Sequence, residues 1–340
     1  MLGTVQVIHP SVFRTLSTPV LLCALTSSAT LASGQSAVDD VHISPREKIV
    51  DVASAAYSAP YTGAMIRSNV DLVLVPVTIT DDLHRPVLGL NEQNFRLFEN
   101  KRPQEIRNFS SEDTPVSIGI LVDTSGSMSY KLDRAREAIL QFCAIANPQD
   151  EFFLITFADE PQLATDFTLH SENIMNDLLT VRSKGQTSLL DAIYMGVRKM
   201  HAARYARKAL LIISDGGDNH SRYTEHDVKA AIRESDITLY AIGTYERWFN
   251  TQEELLGPDL LRTLAEATGG VAYQLDNPAQ MPAVSRNIGD RLRHQYVLAY
   301  EPQSRTHDGK WHKISVKLRL PKKFAFLHVS ARPGYYAAGE

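Results

Sequence analysis

Residues 116–128 read Val116-Ser117-Ile118-Gly119-Ile120-Leu121-Val122-Asp123-Thr124-Ser125-Gly126-Ser127-Met128. The apolar run before Asp123 predicts a buried strand, and a segment with helical periodicity begins near Ser129. One carboxylate and two hydroxyls therefore alternate on a predicted strand-to-helix turn, where a glycine allows a tight backbone. Such hard oxygen ligands suit a divalent cation like Mg²⁺, which takes six oxygens at about 2.0–2.1 Å. The stretch predicts a cation-binding turn.

Two further junctions carry side chains of the same kind. Gly185-Gln186-Thr187-Ser188 opens a second periodic helix, and the apolar run 209–213 predicts a strand that leads into Ser214-Asp215-Gly216-Gly217. With these, the chain resembles the von Willebrand factor type A domain. The metal-ion-dependent adhesion site of that family has the pattern Asp-x-Ser-x-Ser, then Thr, then Asp, and all five positions match in order: Asp123, Ser125, Ser127, Thr187 and Asp215.

The resemblance implies a role for each of these residues. Asp123, Ser125 and Ser127 would ligate the metal directly or nearly so. Thr187 would ligate when a partner is bound, and Asp215 would act largely through a water. The ion would be Mg²⁺, or alternatively Mn²⁺ or Ca²⁺, and its sixth position would take a carboxylate of a partner protein. Because only two acids approach a doubly charged ion and one of them is held off by a water, the ion together with its direct ligands stays net positive, which favours a partner Glu or Asp.

The central region alternates strand and helix patterns. Strands are predicted at 116–122, 152–157, 208–214, 237–242 and 271–275, and helical stripes of apolar residues lie between or after them. This alternation predicts an α/β fold, a doubly wound and mostly parallel sheet with helices on both faces. Ligands of such sheets bind at the carboxyl ends of the strands. Pattern and motif therefore agree on where the site lies.

The flanking segments are predicted to be β structure. Residues 68–112 form an N-terminal β segment, with Pro76 favouring an edge strand. Residues 113–293 form the α/β domain, and 294–337 a C-terminal β segment that packs with 68–112, with a hairpin turn predicted at 307–310. The stretches 75–81 and 331–336 resemble the von Willebrand factor A-related proteins of Acidobacteria and similar bacteria.

The N-terminal residues predict a secreted protein. Arg14 precedes the apolar run 19–25, and small residues follow to Gly34, so 1–34 is predicted to be a signal peptide and 35–67 a linker or arm. The alternatives are a disordered cytoplasmic tail or a misassigned start. Loss of Cys23 with the signal peptide would leave only Cys143, so no internal disulfide could form. Secretion without disulfides favours a bacterial periplasm or exterior.

The composition excludes several classes of partner. The 340 residues carry a formal net charge of −4, so a nucleic acid or an anionic membrane is a poor candidate. A membrane-spanning helix needs about 20 apolar residues, and the mature chain contains no such run.

The function predicted from the motif is metal-dependent protein binding or adhesion, and not catalysis. Three alternatives remain. The hydroxyls could merely cap helices, or the protein could be an envelope scaffold whose metal site does not signal. A Mg²⁺-dependent phosphoryl-transfer enzyme could use Asp123 as nucleophile. Haloacid-dehalogenase-type enzymes place a general acid two residues further on, where this chain has Ser125, and the chain has no phosphate-binding Gly-x-x-x-x-Gly-Lys loop.

Overall fold

The structure is a computed structural model that describes residues 72–215, 217–245, 252–302, 309–321, 324 and 326–337, with the backbone alone for 252–256. The chain divides into two compact units, Met1–Met65 and Ile66–Glu340, and all described residues belong to the second. The predicted signal peptide, Cys23 and nearly all of the predicted linker belong to the first and lie outside the described residues.

The described residues form strands and helices in the following order. The strands are β1 Val73–Thr80, β2 Phe95–Glu99, β3 Arg102–Gln104, β4 Ile106–Ser110, β5 Ser117–Asp123, β6 Glu151–Phe157, β7 Pro161–Thr168, β8 Lys208–Ser214, β9 Ile237–Thr244, β10 Val271–Leu275, β11 Tyr296–Tyr300, β12 Trp311–Leu318, β13 His328–Ala331 and β14 Gly334–Tyr336. The helices are α1 Leu132–Cys143, α2 Ser171–Thr180, α3 Leu189–Lys199, α4 Glu225–Glu234, α5 Gln252–Glu266 and α6 Met281–Arg293.

Strands β5 to β10 form one sheet in the order β10-β9-β8-β5-β6-β7. All neighbours pair in parallel except β7, which runs antiparallel to β6 at the edge. The predicted α/β fold class is therefore confirmed. The chain leaves β5 towards β6 on one side and later returns to β8 on the other side, so the order reverses between β5 and β8. A crevice forms at the carboxyl ends of strands where the order reverses.

Helices cover both faces of this sheet. Successive residues of a strand point to opposite faces, so Ile120 and Val122 pack in one core cluster and Leu121 in the other. The first cluster contains buried residues of α1, α2 and α6, and the second contains those of α3, α4 and α5. Every residue of β5 is buried, which accounts for its continuous apolar sequence.

The remaining strands form two four-stranded sheets, β13-β1-β11-β4 and β14-β12-β2-β3. Strands from before and after the α/β region pair directly, since β1 pairs with β11 and β12 with β2. Their apolar side chains share one core cluster that includes Val77, Leu97 and Tyr296.

Two sequence-based predictions fail in this β region. Strand β1 is not an edge strand, because it pairs with both β11 and β13. Pro76 is nevertheless tolerated because β13 pairs only from Val77 onward, so one side of Pro76 has no strand partner. The hairpin predicted at 307–310 is wrong as well, because β11 and β12 belong to different sheets. Residues 303–308 of that connection lie outside the described residues.

The chain passes between the α/β region and the β sheets at two crossings, the first near Thr114 and the second near Leu292. Buried polar contacts join these two segments. Arg207, just before β8, donates to the Thr114 carbonyl oxygen at 2.5 Å on the first crossing. It also donates to the Leu292 carbonyl oxygen at 2.6 Å and to Gln295 Oε1 at 3.1 Å on the second. Arg293 pairs with Asp150 at 3.1 Å beside this cluster. Both crossings are thus held by the same set of charged side chains.

Candidate functional site

The candidate site lies at the crevice between β5 and β8. Asp123 is the last residue of β5, and Ser214 is the last residue of β8. The two strands pair in parallel with Val122 opposite Ile213, so their carboxyl ends are adjacent. Asp215 follows directly. Two of the five predicted ligands therefore lie side by side because of the strand register.

The Asp123 carboxylate is buried and held by two hydrogen bonds. The Ser125 backbone N–H donates to its Oδ1 at 2.9 Å, and the Ser214 hydroxyl donates to its Oδ2 at 2.6 Å. Burial raises the pKa of Asp123 to about 7, the negative charge of Asp215 adds to the rise, and the hydrogen bonds oppose it. The Asp123 carboxylate is therefore held in one orientation, but its negative charge is poorly balanced by positive charge.

The two predicted serine ligands lie on the loop after β5. The Ser125 and Ser127 hydroxyl oxygens are 3.0 Å apart, with Ser125 buried and Ser127 exposed. A short 3₁₀ turn, Gly126–Met128, follows Ser125, and the Ser125 side chain makes no capping hydrogen bond to it. Helix α1 likewise has no side-chain cap. The helix-capping alternative therefore has no support at these serines.

Thr187 lies just before α3 and is tied to the loop after β8. Its backbone N–H donates to Asn219 Oδ1 at 2.9 Å, and its carbonyl oxygen accepts from the Asn219 and His220 N–H groups at 3.1 Å each. Helix α3 also begins without a side-chain cap. The buried Thr187 hydroxyl is thus not needed for helix capping.

The segment before Thr187 is tied in turn to the loop after β5. The Lys184 N–H donates to the Thr124 carbonyl oxygen at 2.9 Å, and the Gly126 N–H donates to the Gly185 carbonyl oxygen at 3.0 Å. Gly185 has φ +85°, and a Cβ there would lie 2.6 Å from an Asp159 oxygen, so another residue would be strained and would displace the Asp159 carboxylate. Backbone hydrogen bonds therefore bring together all three loops that carry the five predicted ligands.

A buried lysine that the sequence reasoning missed lies at the same site. Lys131 Nζ is 3.2 Å from Asp215 Oδ2, and the two side chains are only 3% and 7% exposed. Ser214 and Asn219 were missed as well. Ser214 lies between an apolar strand and an acid, which is a weak signal. For the lysine and the asparagine, nothing in the local sequence indicates the tertiary contact.

Two further acids support the loop after β8. Asp191, in the first turn of α3, accepts from the Arg222 and Tyr223 N–H groups at 2.8 and 2.9 Å. Asp218 accepts from the Leu190 N–H at 3.2 Å and the Ser221 hydroxyl at 2.5 Å. Asp191 is buried and acts as an acceptor for loop backbone.

The donor set fits a hard divalent cation. A buried carboxylate with a raised pKa is stabilised when positive charge is supplied. Carboxylate and hydroxyl oxygens suit Mg²⁺, Mn²⁺ or Ca²⁺ better than softer metals. Within the part of the chain that the structure describes, no group of three or more His, Cys, Asp or Glu side chains could hold a metal.

Known proteins resemble this chain at low identity. "Inter alpha-trypsin inhibitor, heavy chain 4" of Mus musculus is 24% identical over 158 residues, covering 41% of this chain and 17% of that protein. The human "Inter-alpha-trypsin inhibitor heavy chain H4" is 23% identical and covers 38% and 16%. This chain therefore spans about a sixth of the length of the curated relatives it matches.

Solved structures and one family model complete the comparison. "von Willebrand factor type A from Catenulispora acidiphila" covers 80% of this chain and 75% of its own, at 14% identity and a TM-score of 0.47. In the described residues, no helix has the length and apolar character to cross a membrane. Residues 118–217, which include Asp123, Thr187 and Asp215, match the family model described as von Willebrand factor type A domain, as the motif implies.

Proposed function

We propose that this protein is a metal-dependent protein-binding or adhesion module. In this proposal Asp123, Ser125, Ser127, Thr187 and Asp215 hold one divalent cation, Mg²⁺ or alternatively Mn²⁺ or Ca²⁺. The cation takes up an acidic side chain of a partner protein. Binding, and not catalysis, is the proposed outcome, and a secreted or periplasmic location in a bacterium belongs to the same proposal.

One observation carries the proposal. The hydrogen bonds from 184–185 to 124–126 and from Thr187 to Asn219 join the three loops at the crevice between β5 and β8. The buried Asp123 carboxylate lies there with too little compensating charge. A divalent cation would supply that charge and would act as a Lewis acid towards a carboxylate.

The residues of the chain would divide the work as follows. The Ser214 hydroxyl and the Ser125 N–H fix both oxygens of Asp123 before a cation arrives, so little reorganisation is needed on binding. Ser127 is exposed, and its hydroxyl lies 3.0 Å from that of the buried Ser125. Asn219 anchors the backbone of Thr187 and thereby the position of its hydroxyl.

Isothermal titration calorimetry with Mg²⁺ and Mn²⁺ tests the metal site. We expect one cation per chain in the native protein and loss of binding in Asp123→Ala and in the isosteric Thr187→Val. The matched control is Asp259→Ala, because Asp259 is an exposed acid on α5 that pairs with Arg262 on the same helix. Binding that persists in Asp123→Ala, or is lost equally in Asp259→Ala, would contradict the proposal.

Capture from the envelope fraction of the source organism tests the partner. We expect a protein that is retained in Mg²⁺, is released by a chelator, and is not retained by Thr187→Val. An envelope scaffold with an inert metal site predicts instead that capture is independent of the metal. A phosphoryl-transfer enzyme predicts Mg²⁺-dependent phosphoester turnover that disappears in Asp123→Asn.

A further inference from the structure

The buried ion pair between Lys131 and Asp215 is not explained by the needs of the fold. Lysine is rarely buried, because removal of an ammonium from water costs several kcal/mol unless its partner compensates well. Here the partner is an acid at the candidate metal site, 3.2 Å away. Lys131 immediately precedes α1 and follows the exposed Tyr130, so solvent lies within reach of a long side chain.

The surroundings of Lys131 also keep the ammonium close to the site. Its Nζ lies 5.2 Å from the centroid of the Tyr130 ring, an arrangement that stabilises a cation through the negative face of the ring. Tyr130 itself is 59% exposed, whereas the Lys131 side chain is only 3% exposed. The pair is therefore a built feature, with a fixed positive charge directed at Asp215.

The ion pair between Lys131 and Asp215 changes the net charge of the candidate metal site. When both carboxyls are ionised, as ligation of a cation requires, Asp123 and Asp215 carry two negative charges, and Lys131 cancels one. A bound divalent cation then leaves the site at plus one, and the carboxylate of a partner brings it to zero. Without the lysine charge, the loaded site is already neutral and has no net attraction for a carboxylate.

We infer that Lys131 is a fixed counter-charge that weakens binding of the cation and strengthens binding of the partner's carboxylate. The inference rests on the proposed function. Its physical content is a pair of effects with opposite signs, because one positive charge repels the cation and attracts the anion. At equal distance a divalent ion experiences twice the free energy that a single carboxylate does.

The test compares Lys131→Gln with the native protein. The glutamine removes the charge but keeps an N–H donor for Asp215. We expect Mg²⁺ affinity, measured by calorimetry, to rise about tenfold, in the usual range for coupling between neighbouring sites. Affinity of the Mg²⁺-saturated protein for acetate, followed by broadening of the acetate proton signal, should fall about threefold, half the effect on a logarithmic scale.

Two controls isolate the charge. Lys131→Arg keeps the positive charge and should behave like the native protein in both titrations. Lys199→Gln removes a lysine that pairs with Asp166 at 2.5 Å, outside the loops that carry the candidate ligands, and should change neither affinity. Native protein that binds no Mg²⁺ would overturn the proposed function and this inference together.

Other outcomes overturn the inference alone. They are unchanged affinities in Lys131→Gln, a loss of both affinities, or the same changes in Lys131→Arg. Lys131→Gln could also leave the unbalanced Asp215 too costly to fold without a cation. In that case the inference requires Mg²⁺ to restore folding, and a variant that stays unfolded at saturating Mg²⁺ contradicts it.

Discussion

Replacement of Arg207 by methionine tests how the α/β region is held to the β sheets. The change removes four hydrogen bonds: two to Thr114, one to the Leu292 carbonyl oxygen and one to Gln295. The two backbone carbonyl oxygens each lose a donor, at about 1–3 kcal/mol per buried group. Methionine preserves much of the aliphatic stem, so packing changes little.

The gain from removal of a buried charge offsets part of this loss. Burial lowers the pKa of Arg207, and the positive charge of Arg293 lowers it further, so the guanidinium itself carries a desolvation cost. We therefore expect a net loss of about 3 kcal/mol in the free energy of unfolding. With an unfolding entropy of about 2.1 cal/mol/K per residue, that lowers the melting temperature by about 4–6 °C.

Urea and thermal denaturation, followed by circular dichroism, measure the loss. The matched control is Arg204→Met, because Arg204 lies three positions earlier with a 61% exposed side chain and a distant ion pair of 3.9 Å. We expect a change of less than about 0.5 kcal/mol there. Equal effects in the two variants, or less than about 1 kcal/mol for Arg207→Met, would refute the assignment of Arg207 as a clamp.

Three further predictions concern the fold. Gly119→Ala should destabilise the protein by about 1–3 kcal/mol, because a Cβ would lie 2.3 Å from the Phe153 ring and 2.6 Å from Leu210; an unchanged urea midpoint would contradict this packing. Thr224→Ala should cost about 1 kcal/mol, since Thr224 accepts from the Asp227 N–H at the start of α4; a melting temperature equal to the native value would count against it. Burial and the nearby charges of Asp150 and Glu172 raise the pKa of the Cys143 thiol to about 12. In a Cys23→Ser background, iodoacetamide at pH 8 should therefore react with Cys143 at least about 100-fold faster in urea than in buffer. Similar rates would show that the thiol is accessible and reactive in the folded protein.

The sequence was sufficient for the five parallel strands of the central sheet, because most of them are continuous apolar runs. Strands β5, β6 and β8 are buried on both faces, which produces an unbroken signal. Strand β7 lies at the sheet edge with no buried residue, and its sequence, PQLATDFT, lacks a clear period. It was not predicted for that reason.

Helices α2 and α4 were missed for a related reason. Each buries only two residues, Ile174 and Leu178 in one and Val228 and Ile232 in the other, so the apolar stripe is too short to recognise. The misassigned Pro76 shows a further limit. Whether a proline lies on an edge depends on where the neighbouring strand begins, which is a tertiary property.

The five candidate ligands could be predicted from the motif, but the contacts that hold them in place could not. Asp123, Ser125, Ser127, Thr187 and Asp215 occur at junctions that local sequence patterns reveal. The contacts that orient or compensate them come from distant positions, as when Lys131 approaches Asp215 over 84 residues and Ser214 approaches Asp123 over 91. Such pairs depend on strand register, which a single sequence does not encode locally.

Crystals grown with Mn²⁺ and measured at the manganese absorption edge test the central claim most directly. The account predicts one anomalous peak at the crevice between β5 and β8, with oxygens of Asp123, Ser125 and Ser127 at about 2.0–2.2 Å and Thr187 on the same side. The absence of a peak at saturating Mn²⁺, or a single peak elsewhere on the protein, would contradict it.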